Sequence, residues 1–276
     1  MTPAPAANRI ARRFAELAAH KKKAFIAYIC AGDPSLDATV ELVVAMAAQG
    51  VDIIELGIPY SDPMADGPAN QAASERALAA GATVRGVIDA VRRIRARSDV
   101  PILVYAYMNP LLAYGIERFA ADAVAAGIDG VLPLDLPPEE QPELRVALAQ
   151  AGLAVVCLVA PTTTPARRTY LAEQSRGFLY YVCRLGVTGE RTALPDDLAA
   201  QVATLKAVAT CPVCIGFGIS TPEQAADAAR HGDGAIVGSH LVRLIERHGR
   251  DHDLVGIVSR RAGELAAAVH AVGGGA

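Results

Sequence analysis

Four times in this chain an alanine-rich segment runs through a glycine into a short apolar run: AAQG-VDII, AAGI-DGVL, AQAG-LAVV and ARHG-DGAI. A glycine closing a helix supplies the left-handed backbone that side chains with a Cβ resist, so each junction reads as a helix stopping and a buried strand beginning. Short runs of Val, Ile and Leu that alternate with longer Ala-rich, Arg/Glu-studded segments are the pattern of parallel strands joined by helices. Such runs fall at 24–30, 51–56, 101–107, 128–134, 153–159, 177–183, 212–216 and 233–237. Eight strands, each followed by a helical segment, predict an α/β protein: a single (β/α)8 barrel over 1–276. An extra helix at 8–20 precedes the first strand, a last helix covers 253–271, and a frayed tail is expected at 273–276.

Composition agrees with that class. The 276 residues are 52% hydrophobic and 20% charged, and one barrel of this kind takes ~250 residues. A net charge of -3 gives no basic footprint for nucleic acid. No apolar stretch reaches the ~20 residues of a membrane span, and the basic N-terminal segment is followed by no apolar core of a signal peptide. A cytoplasmic protein is expected. Five cysteines, an odd number and mostly within the strand segments, read as small hydrophobes rather than a disulfide framework. The lone CxxC of Cys211 and Cys214 has no second pair and reads as packing.

Two connections are long, Gly57–Asn70 after the second strand and Arg184–Leu194 after the sixth. Both fall on the C-terminal face of the predicted barrel, where such folds place their active sites. Glu55 ends an otherwise apolar run, VDIIELGI, so its carboxyl is expected in the barrel mouth with little water, an environment that raises a carboxyl pKa toward the range useful for proton transfer. A structural acid paired with a loop arginine or backbone amides is the competing reading. Asp66 sits in SDPMADGP, a loop restrained by prolines 59, 63 and 68. Asp-Gly is also a common turn pair, and Asp62 is an equal candidate for capping the loop.

Gly216-Phe217-Gly218-Ile219-Ser220 follows the seventh strand, and Gly238-Ser239 follows the eighth and opens a helix. Small residues that expose backbone N–H groups beside a helix N-terminus predict a phosphate site. Gly186-Val187-Thr188-Gly189 is either a further source of amide donors or a hinge. Tyr28, Tyr105 and Tyr180 stand near strand ends, as pocket walls or as ordinary rim packing.

The absent chemistry narrows the reaction. The only lysines are Lys21, Lys22, Lys23 and Lys206, none at the C-terminal end of a strand, so imine chemistry has no nucleophile. The six histidines lack paired ligand spacing, and no metal and no cofactor are expected. Acids and phosphate anchors alone can break a carbon–carbon bond only if the substrate itself supplies the electron sink, as an electron-rich heteroaromatic ring protonated at carbon does.

The motifs AGDP at 31–34, ELGIPYSDPMADGP at 55–68, YYV-R-GVTG across 180–189, GFGIS at 216–220 and VGS at 237–239 together resemble the tryptophan synthase α-subunit family over nearly the whole chain. The resemblance implies cleavage of indole-3-glycerol phosphate to indole and glyceraldehyde 3-phosphate. It implies that Glu55 moves the protons and Asp66 pairs with the indole N–H, and it sets Gly189, Gly218, Gly238 and Ser239 on the phosphate and Tyr28, Tyr105 and Tyr180 around the substrate. It also implies a β-subunit partner in an α2β2 assembly. Asn70, Cys183, Leu185 and His240 depart from the family pattern. A sugar-phosphate isomerase or synthase, a free-standing lyase or paralogue acting on a related indole, and a non-catalytic partner subunit are the competing functions.

Overall fold

The computed structural model describes residues 8–140, 142–183, 197–216 and 218–273. The strands are β1 (Ala24–Cys30), β2 (Ile53–Gly57), β3 (Ile102–Ala106), β4 (Gly130–Pro133), β5 (Ala154–Val155), β6 (Cys157–Val159), β7 (Leu179–Val182), β8 (Val213–Gly216) and β9 (Gly234–Val237). All ladders are parallel, and β1 pairs with both β2 and β9. The order β5-β4-β3-β2-β1-β9-β8-β7-β6 brings β5 and β6 to the two ends of the sheet.

These two segments are one predicted strand, 153–159, divided at Val156. The Val156 N–H still donates to Val131 O on β4 at 3.0 Å, whereas the Cys157 N–H turns to Ser175 Oγ at 3.0 Å and β6 then pairs with β7. At that residue the strand exchanges neighbours and the barrel closes. Nine ladder segments thus make the eight strands expected of a (β/α)8 barrel.

Alternation along each strand divides the core. On β2, Ile54 and Leu56 face the surrounding helices, while Ile53 joins Ile26, Leu103, Leu132, Val156, Cys214 and Ile236 inside the barrel. The helix Arg9–Ala19 closes the base: its buried Ile10, Phe14 and Leu17 extend that inner cluster, with Phe14 and Phe178 ring centres 6.0 Å apart. The last helix, Leu254–Ala271, buries one face against the outside of the barrel.

The base is also fastened by carboxylates at the starts of strands. Asp52 Oδ2 accepts from Phe25 N on β1 at 2.7 Å, Asp129 Oδ2 from Ile102 N on β3 at 2.8 Å and Asp233 Oδ2 from Val213 N on β8 at 3.0 Å. Ser175 Oγ does the same for β6. Each side chain satisfies an N–H within the first two residues of a strand. Arg13 and His270 pair with Asp52, Arg9 and Arg95 with Asp129, and Lys23 and Lys206 with Asp233.

Of the four junction glycines, Gly50, Gly127 and Gly152 are left-handed, with φ of 94°, 87° and 85°. Gly232 is not: its backbone is extended, and glycine is required because a Cβ would lie 2.9 Å from Val213 O. No disulfide joins the cysteines among the described residues. No helix of the described residues is long and apolar enough to cross a membrane.

Candidate active site

At the C-terminal mouth of the barrel one cavity is lined by Tyr28, Glu55, Asp66, Asn70, Tyr105, Tyr180, Gly218, Gly238 and Ser239, with Leu134, Leu158, Val182 and Ile236 among its apolar walls. The structure therefore brings together eight of the nine residues singled out in the sequence. The ninth, Gly189, lies outside the described residues, as do Leu185 and the rest of the 184–194 connection.

Glu55 reaches the cavity because it follows Ile53 by two on β2, and alternation sends both inward. The residue is 1% exposed, and its Oε1 has no hydrogen-bond partner among the described residues. Burial, with the nearby charge of Asp66 as a second cause, pushes its carboxyl up to about 8. Among the described residues no arginine pairs with Glu55.

Asp66 is equally buried, at 3%, but it is well supplied with donors. Its Oδ1 accepts from Tyr105 OH at 2.7 Å and from Asn70 Nδ2 at 3.2 Å, and its Oδ2 accepts from Tyr107 OH at 3.0 Å. Burial, the larger cause, raises this carboxyl above its usual value, and the three donors oppose it by favouring the ionised form. The two acids thus differ in their surroundings: Glu55 Oε1 has no donor among the described residues, whereas three donors face the Asp66 carboxylate.

The loop that delivers Asp66 is pinned on both sides. The Tyr107 hydroxyl accepts from Ala65 N at 3.0 Å, and Gln71 Nε2 donates to Asp66 O at 2.9 Å. The helix Pro68–Ala79 starts immediately afterwards with proline in its first turn, a position that needs no N–H. Its Arg76 forms a two-pronged pair with buried Asp33 of AGDP, at 2.9 and 2.7 Å, so that motif anchors the helix rather than contacting the cavity. Tyr107 and Gln71 escaped the sequence reading; Tyr107 was visible as the next inward position after Tyr105.

Glycines at strand ends make room for the aromatic walls. A Cβ on Gly57 would meet the Tyr28 hydroxyl at 2.6 Å, and one on Gly216 would meet that of Tyr180 at 2.5 Å. Tyr28 and Tyr105 pack edge to face with centroids 4.9 Å apart.

On the far side of the cavity Gly238 is the N-cap of the helix Ser239–His248, with no side chain capping its first turn. Exposed N–H groups at the positive end of a ten-residue helix favour an anion. Gly218 adopts a left-handed φ of 74° beside them. Ser220 N is already taken by Gln224 Oε1 at 2.8 Å, so this part of the turn is held in shape by its own chain. His240 accepts from Arg261 Nε at 3.0 Å, and the same arginine reaches Ser220 O at 3.0 Å. This departure from the family pattern therefore joins the two turns through the last helix.

Comparison with known proteins matches residues 14–270 to a family described as tryptophan synthase alpha chain. The tryptophan synthase alpha chain of Geobacter sulfurreducens is 52% identical over 240 residues, 87% of this chain and 91% of that one. Among solved structures, tryptophan synthase subunit alpha from Legionella pneumophila superposes with a TM-score of 0.88 at 38% identity, covering 96% of this chain and 99% of the other. A structure of Mycobacterium tuberculosis tryptophan synthase gives the same TM-score of 0.88 and 38% identity, with coverage of 96% and 99%.

Proposed function

This chain belongs to the tryptophan synthase alpha chain family, and we propose that Glu55 and Asp66 are the two carboxyls that perform its reaction. The enzyme is a carbon–carbon lyase of tryptophan biosynthesis, cleaving indole-3-glycerol phosphate to indole and glyceraldehyde 3-phosphate.

The reading of the site rests on one observation above the others: a buried carboxyl with an oxygen unpaired among the described residues and a second, donor-rich carboxylate line the same cavity as the glycine turns. Glu55, protonated at neutral pH, gives its proton to C3 of the indole ring. Positive charge then develops on the ring nitrogen, whose N–H turns to the Asp66 carboxylate. The resulting Glu55 carboxylate takes the proton of the side-chain hydroxyl as the carbon–carbon bond breaks. The bonding pair returns to the ring to restore indole, the oxygen becomes the aldehyde carbonyl, and Glu55 ends protonated as it began. The ring is the electron sink, so no imine-forming lysine enters. General acid–base help of this kind contributes about 10²–10⁴ in rate.

The phosphate is assigned to Gly218, Gly238 and Ser239, with Gly189 as a further expected contact, and Tyr28, Tyr105 and Tyr180 to the walls around the ring. A β-subunit partner in an α2β2 assembly and a cytoplasmic location are part of the same proposal; the first is supported by the likeness to the Mycobacterium tuberculosis tryptophan synthase structure. Incubation with indole-3-glycerol phosphate, with and without a β subunit, and measurement of indole tests it. Indole formation that rises with the β subunit is expected, and no indole under either condition would refute it.

A further inference from the structure

Asn70 stands in the first turn of the helix Pro68–Ala79, four residues after Asp66, and it lines the cavity. Its Nδ2 donates to Asp66 Oδ1 at 3.2 Å. That contact fixes the amide's orientation, because only the NH2 group can face a carboxylate oxygen. The Asn70 Oδ1 is therefore turned away from Asp66, and it is buried without a hydrogen-bond partner among the described residues. Glu55 Oε1 is the other unpaired buried oxygen of this cavity.

The neighbouring carboxylate is already heavily used. Oδ1 receives both Tyr105 and Asn70, which fills its two lone pairs, while Oδ2 receives Tyr107 and keeps one open. A buried acceptor without a donor is costly. When it faces a binding cavity, a ligand that brings the donor removes the cost and a ligand without one does not.

We propose that Asn70 Oδ1 accepts a hydrogen bond from the indole N–H of the bound substrate, so that Asn70 shares with Asp66 the recognition of the ring nitrogen. This rests on the assignment of the cavity to indole-3-glycerol phosphate. An amide oxygen suits the task, since it receives the N–H without adding a second negative charge beside Asp66 and Glu55.

Two non-cleavable ligands separate the possibilities: indole-3-propanol phosphate and its benzothiophene counterpart, in which sulfur replaces the N–H. Calorimetric binding is measured for the wild type, Asn70→Leu and Asn70→Ala, and for the same substitutions in an Asp66→Ala background, with thermal melts to verify folding. The expected result is a loss of about tenfold in affinity for the indole ligand, in both backgrounds, with the benzothiophene ligand unaffected. An unchanged preference for N–H over sulfur overturns the proposal. So does a loss confined to proteins that retain Asp66, which would make Asn70 only a support for that carboxylate. Turnover of indole-3-glycerol phosphate by the wild type is assayed in parallel: its absence counts against the reading of the active site, whereas the N–H preference is read from binding alone.

Discussion

The hydroxyl of Tyr105 donates to Oδ1 of Asp66 at 2.7 Å, which joins the inward face of β3 to the loop after β2. Because this bond favours the ionised carboxyl, Tyr105→Phe raises the Asp66 pKa further. The acidic limb of the kcat/KM profile is expected to move to higher pH, with a loss of about three- to tenfold at neutral pH. An acidic limb that stays in place would detach Tyr105 from the charge state of Asp66.

Glu55→Gln removes the proton donor while conserving shape. Indole formation is expected to fall at least about 10²-fold, and the inflection that Glu55 places near pH 8 disappears from the pH–rate profile.

The same residue leaves a signature in stability. The folded chain holds the Glu55 proton up to about pH 8, against a usual value of 4.5, so between these values the folded state binds more protons than the unfolded one. Stability therefore falls as pH rises through this window, by a few kcal/mol in all. Glu55→Gln flattens that slope. Urea unfolding of both proteins from pH 5 to 9 checks it, and parallel curves would be the contrary result.

Gly218→Ala forces a Cβ onto a backbone at φ 74°, at a cost of about 1–2 kcal/mol, and narrows the approach to the amides beside it. The expected effect is a higher KM for the phosphorylated substrate and weaker competition by inorganic phosphate, with kcat less affected. Steady-state kinetics with phosphate as inhibitor reads both.

Asp52→Asn tests the base of the barrel, far from the chemistry. Asp52 accepts from Arg13, Phe25 N and His270; its carboxylate is fully buried, and the substitution leaves Arg13 without its counter-charge. A loss of about 1–2 kcal/mol is expected in urea unfolding, because Arg13 stays partly hydrated, with activity per folded molecule retained.

Much of this arrangement was legible before folding, for physical reasons that differ by residue. Glu55 stood out because a carboxyl ending an apolar strand is an anomaly that needs a cause. Gly238 and Ser239 were legible as the strand-to-helix turn at the cavity, because small residues between a strand and a helix mark a tight turn with open amides. Asp66 was not separable from Asp62 by local pattern, since what distinguishes it is reach: Tyr105 and Tyr107 come from a strand some forty positions on. Gly232 was misread for a related reason, because its requirement comes from the β8 backbone it approaches and not from its own dihedral angles. The division of 153–159 at Val156 depends on Ser175, on the far side of the barrel seam, and no run of apolar residues records it.

The side chains that hold an opening amide of β1, β3, β6 and β8 come in each case from just before the next full strand: Asp52, Asp129, Ser175 and Asp233. The base is thus buttoned in four two-strand clasps, and among the described residues the seams between clasps carry no such button. Opening the chain at Gly81, an exposed turn between the second strand and the third, and rejoining the old ends leaves all four clasps whole. A break between β1 and β2 divides one. Circular permutants are therefore expected to tolerate new ends with a two-strand rhythm, read as urea midpoints that fall more for breaks inside a clasp than for breaks between clasps.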